Sequence, residues 1–278
     1  MINIVGIGKL GCELATDFEK LKNYDVYKID HGLEKTKRTR GIKKEKSPEK
    51  YENNCPGLSY FFKGMSGRSL VLVSGGESIS AITLRVLEHM NHQKVTVLYI
   101  QPDIRNLNKQ TRLNERIVFN VLQEYARSGM IAGVMLANVA DIEKAIGNVP
   151  VIGYEEAFRG YIVNSLNLIY YFEHSNPVLS TDSDKIDYSR IMTLGLVDFT
   201  AGEEKAFFPL DNIKERVYYY GINENQLRND NGLISKIREQ VDSKRHAEQR
   251  ISYRVYSTSY EEPQVFCIQS SAMIQKTT

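Results

Sequence analysis

Two short glycine-bearing segments hold the residues best suited to chemistry in this sequence. Gly6-Ile7-Gly8-Lys9-Leu10-Gly11 follows the apolar run Ile2 to Val5 and opens a helix-like run from Leu10 to Leu21. Glycines at this spacing allow a tight turn, close approach of backbone to a phosphate, and close helix–strand packing. The helix start adds free N–H groups and a partial positive charge. Asp30 closes the next strand-like run, Tyr24 to Ile29, about twenty residues on, where a ribose-binding carboxylate is expected. Taken alone the pattern is a dinucleotide-binding fingerprint, with NAD as the ligand; the bland alternative is a glycine-tight turn that binds nothing.

The second segment is Ser74-Gly75-Gly76-Glu77-Ser78, again between an apolar strand and a helix. It could present amides to an anion. Glu77 has two readings there. Its carboxylate would repel a nearby phosphate, or it is a first-turn acid favourable to its own helix dipole, with Ser74 or Ser78 capping.

Other candidates carry less. His31, His89, His92, His174 and His246 show no ligand spacing, so no metal site is expected. No G-x-S-x-G elbow appears. Cys12, Cys55 and Cys267 are odd in number and widely spaced, which fits reduced thiols in a cytoplasmic protein. Tyr170-Tyr171 and Tyr218-Tyr219-Tyr220 suit packing better than a stacking platform.

The elements that must position the loops follow from periodicity. Leu70 to Val73 is a continuous apolar run, the mark of a strand buried on both faces, and Val95 to Ile100 reads as the next buried strand. Ile79, Ile82, Val86 and Met90 predict a helix over 78–92. Leu113, Ile117, Val121 and Tyr125 predict a second, stopped by Gly129. Phe158, Tyr161, Ile162, Ser165, Ile169 and Phe172 predict a long central helix over 155–172. This order predicts an α/β fold: a parallel nucleotide-binding sheet with helices on both faces. The polar stretch from Ser175 to Asp184 is the expected boundary between a first domain, 1–175, and a smaller α+β C-terminal domain, 176–278. The latter holds strands near 192–199, 217–220, 251–257 and 264–270 and a helix at Leu233 to Val241.

Composition bounds the function. The chain has 278 residues, 42% of them hydrophobic, enough for a sizeable core. No run of about 18 apolar residues predicts a membrane span, and Met1 to Gly6 reads as a first strand and not as a signal peptide. Net charge is +2, which by itself predicts no nucleic-acid partner. From 35 to 50, Lys35, Lys37, Arg38, Arg40, Lys43, Lys44, Lys46 and Lys50 face only Glu34, Glu45 and Glu49. That segment reads as a solvated loop, with a basic flap over phosphates or a polyanion contact as alternatives.

The order of these parts over most of the chain resembles the FtsZ/tubulin family. Gly6 to Gly11 stands in place of its first glycine loop, and Ser74 to Ser80 in place of its GGGTGTG signature. Arg112 resembles its phosphate-side arginine, and Leu196-Val197-Asp198-Phe199 its catalytic NxDFxD loop. The resemblance implies head-to-tail filaments and a GTP or GDP site with Mg²⁺. Gly6, Gly8, Lys9, Gly11, Gly75, Gly76, Ser78 and Arg112 would lie on the phosphates and Asp30 on the ribose. Asp198 would act across the contact on a neighbour's nucleotide. Departures are visible: Glu77-Ser78-Ile79-Ser80 replaces the TGTG half, Ile162 stands at the guanine-reading position, and Leu196 and Ala201 replace the catalytic loop's Asn and second Asp. They imply weak or absent GTP binding and hydrolysis. A nucleotide-free scaffold that joins other filament or scaffold proteins is the remaining expectation.

Overall fold

Leu70 and Leu72 face one side of a strand while Val71 and Val73 face the other, and all four are fully buried. Such a strand is stable only with helices on both faces. The computed structural model describes residues 1–90, 94–181 and 189–276. Its first half is a parallel sheet of β1 (Ile2–Ile7), β2 (Tyr24–His31), β3 (Thr39–Ile42), β4 (Ser69–Ser74), β5 (Val95–Gln101) and β6 (Gly133–Asn138), in the order β3-β2-β1-β4-β5-β6. Helices α1 (Gly8–Glu19), α5 (Val139–Ile146) and α6 (Tyr154–Glu173) cover one face, and α2 (Pro48–Asn53), α3 (Thr83–Glu88) and α4 (Lys109–Arg127) the other.

The second half holds β7 (Leu179–Ser180), β8 (Ile191–Val197), β9 (Glu204–Ala206), β10 (Ile213–Asn223), α7 (Glu224–Asn229), α8 (Leu233–Asp242), β11 (Arg250–Thr258) and β12 (Gln264–Ser271). β8 joins the halves: it runs parallel to β6 and antiparallel to β12, so one sheet continues as β8-β12-β10-β11-β7. Helix α6 seals the join. Its Phe158, Ile162, Leu166, Ile169 and Phe172 share a cluster with Leu14 and Leu70 of the first half and with Tyr219, Tyr256 and Phe266 of the second. Phe172 stacks on Tyr256 at 4.6 Å. On the opposite face α8 packs Leu233, Ile237 and Val241 against Tyr218, Tyr220 and Val255.

Several sequence expectations need correction. The helix expected over 78–92 is a 3-10 turn, Ser78–Ile82, followed by the short α3; His92 lies outside the described residues. On α4, Leu113 and Ile117 are each 52% exposed, and the buried face is Asn114, Glu115, Val118, Phe119, Leu122, Gln123 and Ala126. Polar partners in the core turn the helix away from its apparent apolar stripe. The basic stretch is not all loop, because it contains edge strand β3 and the start of α2. Strands β11 and β12 run in opposite directions on either side of β10. Of the expected linker, residues 182–184 lie outside the described residues.

Candidate functional site

β1 passes directly into α1, with Gly8 at φ 74 making the turn. That left-handed conformation favours glycine. Gly6 and Gly11 have a different reason. A Cβ on Gly6 would lie 2.9 Å from the Ala15 Cβ and on the Gly11 carbonyl, and one on Gly11 would strike the Leu72 carbonyl of β4. Two of the three glycines therefore let helix and sheet touch.

The first-turn amides of an α-helix have no partner within it. Here the Lys9 N–H donates to Glu77 Oε2 at 2.7 Å and the Leu10 N–H to Glu77 Oε1 at 3.1 Å. A Cβ on Gly8 would lie 2.6 Å from Glu77 Oε2, so the space beside Gly8 holds this carboxylate. Glu77 caps the other loop's helix and not its own, an arrangement neither sequence reading anticipated. Its backbone is extended, φ −105 and ψ 133, and its carbonyl accepts from the Ser80 N–H at 3.0 Å and Asn114 Nδ2 at 3.5 Å. Burial pushes the Glu77 carboxyl above its ordinary value; the Lys9 and Leu10 amides pull it down, and Asp30 and Glu13 push it up again.

The second loop is also filled. The Gly75 N–H donates to the Ile100 carbonyl at 3.0 Å, and a Cβ on Gly75 would strike the Tyr99 hydroxyl and lie 2.6 Å from Tyr99 Cζ. Tyr99 is fully buried and donates to Glu115 Oε1 at 3.2 Å, while Gln101 Nε2 donates to the same oxygen at 3.0 Å. Burial raises the Glu115 carboxyl, and the Gln101 and Tyr99 donors lower it. Sequence reasoning missed this trio, although a glutamate one turn before Phe119 on an amphipathic helix was a signal. At Gly76 a Cβ would press on Pro102 at 3.2 Å.

The remaining expected site residues are scattered in role. Asp30 stands near Glu77, and its Oδ1 accepts from the His31 N–H at 2.7 Å. The Lys9 side chain is exposed beside Glu13, 3.9 Å away. Ser78 is exposed at the start of the 3-10 turn. Arg112 is exposed and donates to the Ile104 carbonyl at 2.9 Å. Ile162, at the guanine-reading position of the resemblance, is buried in the α6 core.

Asp198 differs most from its expected place. It ends β8, which runs parallel to β6, so it lies toward the same end of the sheet as the glycine loops. A residue acting across a head-to-tail contact must lie at the opposite end. Its Oδ1 accepts from the Thr200 and Ala201 N–H groups, each at 2.7 Å, closing the β8–β9 hairpin, and those amides hold the carboxyl below its usual range.

No family model matches the sequence, and no curated protein matches it either. Solved structures match closely in shape. TubZ of Bacillus thuringiensis serovar israelensis, in a GTPγS-form protofilament, matches at TM-score 0.69 and 12% identity over 99% of this chain and 87% of that one. The empty FtsZ dimer of M. jannaschii matches at TM-score 0.68 and 10% identity over 97% and 88%. CetZ of Methanosaeta thermophila matches at 0.64 and 10% over 98% and 86%. The chain has an FtsZ/tubulin-like fold.

A nucleotide phosphate does not fit the loops as they stand. The Lys9 and Leu10 amides already carry a carboxylate, and the wall of the second loop is set by Tyr99. The same obstruction faces the pyrophosphate of NAD.

Proposed function

We propose that this chain is a cytoplasmic, self-associating subunit of the tubulin-like class, one that forms or joins head-to-tail filaments and binds GTP weakly or not at all. The observation that carries the reading is the match of nearly the whole chain to TubZ in a protofilament. Head-to-tail contacts repeat a heterologous interface and so build open filaments.

A second feature supports self-association. The loop 147–153, between α5 and α6, carries Val151 and Ile152, 93% and 94% exposed. Arg159 meets Asp17 on α1 while Asn167 meets Tyr24 at the start of β2. Helix α6 therefore starts at the glycine-loop end, and its apolar loop projects there. Isolated exposed apolar side chains are common; two adjacent ones this exposed suit a contact.

The test is sedimentation with electron microscopy of the purified chain, with and without GTP and Mg²⁺. Filaments are expected in both conditions. A chain that stays monomeric at every concentration in both conditions overturns the reading. Saturable NADH binding would instead favour an NAD-dependent oxidoreductase.

A further inference from the structure

The misfit between the loops and a phosphate is constructive, because the first-loop amides are occupied and not merely blocked. A carboxylate offers two anionic oxygens to backbone N–H groups at a helix start, which is what a phosphate offers there. Each Glu77 oxygen takes one amide of α1, at 2.7 and 3.1 Å. Asn114 of α4 holds the Glu77 carbonyl and Ser80 Oγ, at 3.5 and 3.2 Å. Thus α1, the second loop and α4 are linked through one residue, across the gap a bound phosphate would otherwise bridge.

We infer that Glu77 is an internal anion that replaces the nucleotide phosphate at the first glycine loop, holding the two loops together without a ligand. Gly8 belongs to the same device, since any side chain there would displace the carboxylate. Resting on the filament reading, the inference adds that assembly is independent of nucleotide because the chain carries its own anion. Lys9, exposed and 3.9 Å from Glu13, leaves the charge of Glu77 to the amides.

The experiment compares wild type, Glu77→Gln and Glu77→Ala in chloride buffers of fixed ionic strength, with inorganic phosphate, then GTP with Mg²⁺, as probes. Wild type is expected to show no shift in melting temperature with either. Glu77→Ala should melt lower in chloride, recover with millimolar phosphate, and bind a fluorescent GTP analogue at least tenfold more tightly than wild type. Glu77→Gln keeps the shape with one acceptor and should fall between. Hydrogen exchange on the wild type covers the case in which the alanine variant fails to fold. The Lys9 and Leu10 amides, which have no partner within the helix, should exchange at least tenfold slower than an unpaired amide.

Fast exchange at both amides overturns the inference, as does phosphate or GTP binding to wild type as tight as to the variants. A wild type that shows protected amides but never assembles sinks the filament reading and leaves the internal anion standing.

Discussion

Replacing Gly75 with alanine tests whether the second loop is closed by its surroundings. Gly75 is not among the glycines at positive φ, so backbone strain is not at issue. The added Cβ would strike the Tyr99 hydroxyl, lie 2.6 Å from Cζ and 3.1 Å from Glu115 Cγ. To make room the ring must retreat toward Phe119, whose centroid is 5.6 Å away, and abandon its bonds to Glu115. Overpacking a core costs about 1–3 kcal/mol, and stranding a buried hydroxyl about 1–3 kcal/mol more. Gly75→Ala should therefore lose about 3 kcal/mol, or roughly 5 °C in melting temperature for a chain of this size. Tyr99→Phe alone should lose about 1.5 kcal/mol, since Glu115 keeps Gln101 as a donor. In the double variant the hydroxyl is already gone, so the total should stay near 3 kcal/mol, a coupling of about 1.5 kcal/mol. Urea unfolding with unchanged m-values measures all three. A Gly75→Ala variant within about 0.5 kcal/mol of wild type, or strictly additive losses, would refute the packing argument.

Three further outcomes follow from the same geometry. The Glu77 and Glu115 carboxyls stand above their ordinary 4.5, mainly through burial, so the folded chain binds those protons more tightly than the unfolded one. Stability from each should be highest at acid pH and fall as pH rises from about 4.5 through the folded value; Glu77→Gln should flatten that slope, and an unchanged slope counts against the placement of Glu77. Burial holds the Cys12 thiol up at about 12 and raises Cys267 well above its ordinary range, while Cys55 is half-buried. Mass spectrometry after iodoacetamide should find only Cys55 modified in the folded chain, and early labelling of Cys12 would contradict the packing of α1. Val151→Asp with Ile152→Asp should reduce pelleting several-fold at unchanged melting temperature, because the two side chains touch solvent in the single chain.

Local pattern was enough for the layers. Val71 and Val73 alternating with Leu70 and Leu72 fix a strand buried on both faces, and the spacing from Phe158 to Phe172 fixes the long helix. Both signals are one-dimensional, because burial imposes a period of two on strands and near 3.6 on helices. The order of glycine loops and strands sufficed for the fold resemblance as well. What each polar residue does required three dimensions. Glu77 meets Lys9 and Leu10 across 68 and 67 positions of sequence, and no local pattern encodes that pairing. The buried face of α4 turned on Tyr99 and Gln101, which lie on a strand and satisfy Glu115 from outside the helix. Asp198 looked catalytic by its neighbours in sequence. The direction of β8 places it at the glycine-loop end of the sheet, where it caps the β8–β9 hairpin, because strand direction is settled by pairing with β6 and β12 and not by the residues of the strand itself.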